Sequence, residues 1–157
     1  MKTVKKALAL LLALCLMLTF AACGEKQPQS AAIDLAGLYE SYTQYLPEMF
    51  FPDEDTLLNF LGIHAEDCAQ YQVAICAEGM RADEVWLIQA KDEAALDTLR
   101  ALAQTRIQAK LDETISYVPD QYAIVEKAEL LENGLYLALL ISPDHEAMKA
   151  GFEAAFR

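Results

Sequence analysis

Of the 157 residues, 24 are Asp or Glu and 12 are Lys or Arg; three of the bases (Lys2, Lys5, Lys6) precede residue 23, so residues 23–157 carry nine bases against all 24 acids, a net charge of −15. A surplus of that size excludes binding to nucleic acid, where affinity comes from neutralising phosphates. With 55% apolar residues, the composition suits one packed domain plus a targeting segment rather than a disordered acidic tail.

Met1-Lys2-Thr3-Val4-Lys5-Lys6 is a basic opening, and Ala7 to Phe20 is an uncharged run of 14 residues, apolar but for Thr19, the pattern of an export signal. As a helix the run would cover about 21 Å, short of the ~30 Å bilayer core, which argues against a permanent transmembrane segment. Leu18-Thr19-Phe20-Ala21-Ala22-Cys23-Gly24 resembles the cleavage region of bacterial lipoproteins. That resemblance implies acyl chains on Cys23 and removal of residues 1–22. Two acyl chains, at about 0.8 kcal/mol per buried methylene, hold a protein stably on a membrane. Gly24 to Ala32 is polar, lacks apolar periodicity and serves as a tether of about 15–18 Å. The expected organisation is a signal peptide over 1–22, a lipidated Cys23 with a flexible tether over 23–32, and a single domain over 33–157. The expected location is the outer face of the bacterial cell membrane.

Within the domain, Leu35, Leu38, Tyr42, Tyr45, Leu46 and Met49 recur at steps of three and four, which predicts a helix from about Ile33 to Met49, bent or ended early by Pro47. Asp53-Glu54-Asp55 opens a second, short helix, and Gly62 turns the chain out of it after Leu57, Leu58 and Leu61. Tyr71, Val73 and Ile75 alternate with Gln72, Ala74 and Cys76 as a strand; Val85 to Ile88 is a buried run forming another, with Glu78 to Asp83 as the loop between them. Asp92 caps a long helix whose inward stripe is Leu96, Leu99, Ala103, Ile107, Leu111 and Ile115, stopped at Val118-Pro119. Asn133-Gly134 predicts a type I′ turn between a strand ending near Leu131 and the strand Leu135 to Ile141, with Leu137 opposite Leu130 and Leu139 opposite Ala128. Ser142-Pro143 starts a last helix that carries Met148, Phe152, Ala155 and Phe156 inward. The order α-α-β-β-α-β-β-α predicts an α+β domain: a four-stranded, mainly antiparallel sheet from two β-β-α units, preceded by two helices, with the helices packed on one face.

Reactive constellations are sparse. Ser30, Ser41, Ser116 and Ser142 are the serines after Cys23, and none stands in Gly-x-Ser-x-Gly; Ser142, three residues before His145, reads as a helix cap. The scattered glycines exclude a phosphate-cradling loop. His64, Glu66, Asp67, Cys68 and Cys76 are zinc-ligand types, but they lack the paired Cys-x-x-Cys or second histidine of a zinc motif. Cys68 and Cys76 are candidates for a disulfide, with Cys76 as a small buried apolar residue the alternative. His64 and His145 lie near helix ends, where solvated polar residues are common, and neither is expected to be catalytic. No metal, cofactor or nucleotide is expected. The acidic excess reads as a solvated surface, with attraction for cationic partners as its functional alternative.

Ala21-Ala22-Cys23, the helix holding Leu46-Pro47-Glu48-Met49, the Leu61-Gly62-Ile63 helix end, Trp86-Leu87-Ile88-Gln89-Ala90-Lys91-Asp92, Val118-Pro119-Asp120-Gln121-Tyr122 and Asn133-Gly134-Leu135-Tyr136 together resemble a family of bacterial lipoproteins carrying the domain of unknown function 4358. The resemblance implies a compartment and a fold but no reaction, so no catalytic residue is carried over. The expected function is that of a membrane-anchored extracytoplasmic module that binds an envelope protein or a cationic ligand without catalysis. The alternative is a cell-envelope hydrolase or metal-dependent enzyme.

Overall fold

A computed structural model of the chain describes residues 32–157; the expected signal peptide, Cys23 and most of the expected tether lie outside the described residues. Helix α1 (Leu35–Tyr42) begins where the Asp34 carboxylate accepts the Gly37 N–H, and a 3-10 turn (Thr43–Tyr45) follows. It stops short of Met49 because a residue before proline is pushed out of the helical region, and Leu46 is extended at φ −111°, ψ 147°. Met49–Phe50 is instead a strand, β1. Helix α2 (Glu54–Thr56) is capped by Asp53, widens into a π turn over Leu57–Leu61 and ends at Gly62, whose φ of +74° few other residues tolerate. Strands β2 (Cys68–Cys76) and β3 (Glu84–Ala90) flank the 77–83 loop, and Asp92 caps α3 (Glu93–Thr114). Pro119 opens a further helix, α4 (Pro119–Val125), from its first turn, where a fixed φ and a missing N–H are harmless. Strands β4 (Glu129–Asn133) and β5 (Tyr136–Ile141) and helix α5 (His145–Ala154) complete the domain.

The sheet has five strands, not four, in the order β1-β2-β3-β5-β4, and every adjacent pair is antiparallel. The additional strand is β1, a two-residue edge bracketed by Pro47 and Pro52; prolines on either side keep such an edge from lengthening. The β4–β5 register is also corrected. Asn133 pairs with Tyr136 and Leu130 with Leu139, so Gly134-Leu135 is the turn. Only Gly134 has positive φ, at +57°, as a II′ turn with glycine first requires. The slip is two residues, so each side chain keeps its face.

Helices cover both faces of the sheet, not one. Trp86, Ile88, Leu137, Leu139 and Ile141 pack with Leu57, Leu61, Leu96, Leu99 and Val125 on the α2–α3–α4 side. Val85, Leu87, Ala138 and Leu140 pack with Leu35, Tyr39, Tyr42, Met148 and Phe152 on the α1–α5 side. Strands β3 and β5 are apolar on alternate residues of both sets, and a strand of that kind needs two covers. The Tyr42 hydroxyl ties the second cover together by donating to the Met148 carbonyl at 2.8 Å.

Candidate functional site

The inward face of α3 starts apolar with Leu96, Leu99 and Ala103 and continues through Arg106, Lys110 and Thr114; Ile115, expected inward, is 59% exposed. The face turns polar because it meets Glu84, the first residue of β3, which is fully buried. Arg106 grips both carboxylate oxygens, with Nε at 3.0 and 3.1 Å and Nη2 at 2.8 Å. Lys110 Nζ lies 3.1 Å from the same carboxylate and donates to the Ala82 carbonyl at 3.0 Å, while Trp86 Nε1 donates to Glu84 at 2.8 Å. A buried lysine and a partly buried arginine thus surround one buried carboxylate inside a strongly acidic domain. The neighbouring Asp83 is also fully buried, and its Oδ2 accepts from Arg81 Nε at 3.0 Å. Its Oδ1 is the one buried side-chain polar atom without a partner among the described residues.

A cleft of about 250 Å³ lies beside this cluster, lined by Met80, Arg81, Lys110, Thr114 and Tyr117 among others. That is below the ~300–1,000 Å³ usual for small-molecule sites. Exposed apolar side chains also occur in and after the edge strand β1. Phe50, Phe51, Leu58 and Phe60 are 42–57% exposed. They are anchored from both faces of the sheet: Phe51 meets Tyr39 of α1 edge-on at 5.2 Å, and Arg106 of α3 stacks 4.7 Å from the Phe60 ring centre. Between Lys26 and Arg81 the sequence contains no Lys or Arg and nine Asp and Glu. Glu48, Asp53, Glu54 and Asp55 in that stretch are all exposed, and Arg106 of α3 is a base that reaches its Phe60.

The residues singled out from the sequence fall in separate places. Cys68 and Cys76 are free thiols at opposite ends of β2, eight steps of extended strand or about 26 Å apart, so no disulfide joins them. Burial pushes the Cys68 thiol up to about 11, with the Asp67 charge adding to the shift and Lys91 opposing it. Cys76 is a buried member of the strand. His64 is exposed ahead of a 3-10 turn (Ala65–Asp67). Ser142 stands one turn before α5, where its hydroxyl accepts the Asp144 N–H at 3.2 Å; Asp144, not Ser142, occupies the cap position. His145, expected to be solvated, is only 9% exposed. One of its ring nitrogens and one carboxylate oxygen each of Glu129 and Glu146 lie within 4.8 Å of one another, the one grouping of metal-ligand types found among the described residues. Sequence spacing hid both clusters, since Glu84 and Arg106 are 22 residues apart and Glu129 precedes His145 by 16. The one legible trace was the i, i+4 pair Arg106 and Lys110, on the continuation of the Leu96-Leu99-Ala103 stripe.

Residues 40–142 match the family described as "Domain of unknown function (DUF4358)". That span is well over half of the chain, and the protein belongs to this family. No curated protein and no solved structure matches it.

Proposed function

We propose that this member of the DUF4358 family is a membrane-anchored extracytoplasmic lipoprotein, held by acyl chains on Cys23 at the outer face of the bacterial cell membrane, and that it works as a non-catalytic binding module. Its partner is an envelope protein that presents a basic segment carrying apolar side chains, and the docking face is the β1 edge. One observation carries this: four exposed apolar side chains, Phe50, Phe51, Leu58 and Phe60, sit in a stretch that is acidic and free of Lys and Arg. Aromatic groups supply contact area, and the acidic stretch favours a cationic partner and speeds its approach.

Two measurements test the proposal. Mass spectrometry of membrane-extracted protein should find an acylated N-terminus at Cys23, and an unmodified Cys23 inside an intact leader would contradict the anchor. The full chain should bind a Lys/Leu-rich peptide more tightly than a Glu/Leu-rich peptide of equal length. Binding should weaken with salt, because surface charges are screened within about 8–10 Å. Phe51→Asp or Phe60→Asp should remove most of it; equal binding of both peptides would contradict the partner class.

A further inference from the structure

We propose that Glu129, His145 and Glu146 form a binding site for a divalent transition-metal ion, zinc(II) being the natural probe, a reading independent of the docking face. The register places Glu129 of the edge strand β4 opposite Leu140 of β5, on the side of the sheet covered by α5. Strand β5 ends one residue later, and the Ser142-Pro143 turn delivers His145 to the first turn of α5 beside it. The topology therefore brings together residues distant in sequence.

The histidine is already oriented as a ligand. Its Nδ1 lies 3.1 Å from the Ser142 carbonyl, and a carbonyl only accepts, so Nδ1 donates there and the lone pair of the neutral ring is on Nε2. Metal-bound histidines typically donate their other ring N–H in this way, which fixes both tautomer and ring direction. Nε2 has no hydrogen-bond partner among the described residues and lies 3.6 Å from Glu146 Oε1, in a side chain that is 11% exposed. In a tetrahedral zinc site with bonds of about 2.0–2.1 Å, ligand atoms stand about 3.4 Å apart. One pair is thus nearly in place, and the third ligand closes from within 4.8 Å. The Glu146 side chain is 79% exposed and free to adjust. A nitrogen with two carboxylates suits zinc and its neighbours, whereas calcium and magnesium take oxygen alone. Three protein ligands leave the remaining position to solvent. Lys149, one turn along α5, holds Glu129 at 3.2 and 3.3 Å; metal entry displaces this ammonium, so Lys149 tunes affinity downward.

The test is isothermal titration of the purified full chain with zinc chloride at neutral pH. One site is expected, weakening on acidification as protons compete with the metal for its ligands. Glu146→Gln, at an exposed position that leaves folding intact, and His145→Gln should each weaken binding at least about tenfold, the loss that even outer-sphere partners of metal ligands cause when removed. Lys149→Met should tighten it. Absence of binding, or binding that Glu146→Gln leaves unchanged, would overturn the site and mark any retained zinc as adventitious on the acidic surface.

Discussion

Replacing Glu84 with Gln tests the buried cluster beneath the candidate surface. The amide keeps the shape of the side chain but removes the carboxylate that Arg106 and Lys110 share, their side chains being 10% and 7% exposed. Removing one partner from a buried ion pair costs about 3–5 kcal/mol, a large share of the roughly 5–15 kcal/mol that holds a domain together. At roughly 3–4 °C per kcal/mol for a domain of this size, the melting temperature should fall by about 10–20 °C. Lys110→Met leaves Glu84 and Arg106 as a balanced pair and should cost less, about 1–2 kcal/mol with the lost bond to Ala82. The double variant, with one orphaned cation gone, should be more stable than the two single losses add up to, by about 1–3 kcal/mol. Urea unfolding followed by fluorescence is a suitable assay, because Trp86 is the single tryptophan and donates directly to Glu84. A Glu84→Gln loss under about 1 kcal/mol would mean that the two cations do not need this carboxylate, and would refute the reasoning.

Gly62→Ala should cost about 1–2 kcal/mol, because φ is +74° and the added Cβ would stand 3.0 Å from Leu102 Cδ2; an unchanged urea midpoint would contradict this. Hydrogen bonds from Thr56 hold the Asp53 carboxylate below the usual range, so its stabilising contribution is complete above about pH 3.9 and is lost as the pH falls through the lowered value. The difference in stability between the native protein and Asp53→Asn should therefore be flat at neutral pH and change only in acid. Cys68, protonated at neutral pH, and the buried Cys76 should label slowly in the folded protein and readily on unfolding without reductant; a Cys68–Cys76 crosslinked peptide in the mass map would contradict the free thiols.

Local signals in the sequence carried much of the fold. Asp53, Asp92 and Gly62 each act within a few residues, and each stands at the helix end assigned to it. The β2–β3 and β4–β5 hairpins are likewise present. The departures arise where long-range packing decides. Strand β1 is too short to show alternation, and its identity comes from pairing with Cys76 and Ile75. The continuous apolar runs of β3 and β5 marked burial, but only the assembled sheet shows that α1 and α5 cover the second face. In α3, Ile107 and Leu111 pack half-buried against the core as their spacing implies, but Ile115 is exposed and the inward face also takes in Arg106 and Lys110, because the carboxylate of Glu84 compensates charges that would otherwise stay in water. The candidate surface was legible only as acidic charge. Its aromatic members lie in segments read as helix ends and turns, and their exposure is a property of the folded edge.

The central claim, that the β1 edge docks a protein partner at the membrane, is tested most directly by site-specific photo-crosslinking in intact cells. A photoreactive residue replaces Phe51 or Phe60 in the full-length chain, with the exposed position Lys127 as the control. A single protein with a basic segment should be captured from positions 51 and 60 and not from 127, and the capture should vanish when Phe50 is also changed to Asp. Equal capture from all three positions, or none from 51 and 60, would contradict the docking face.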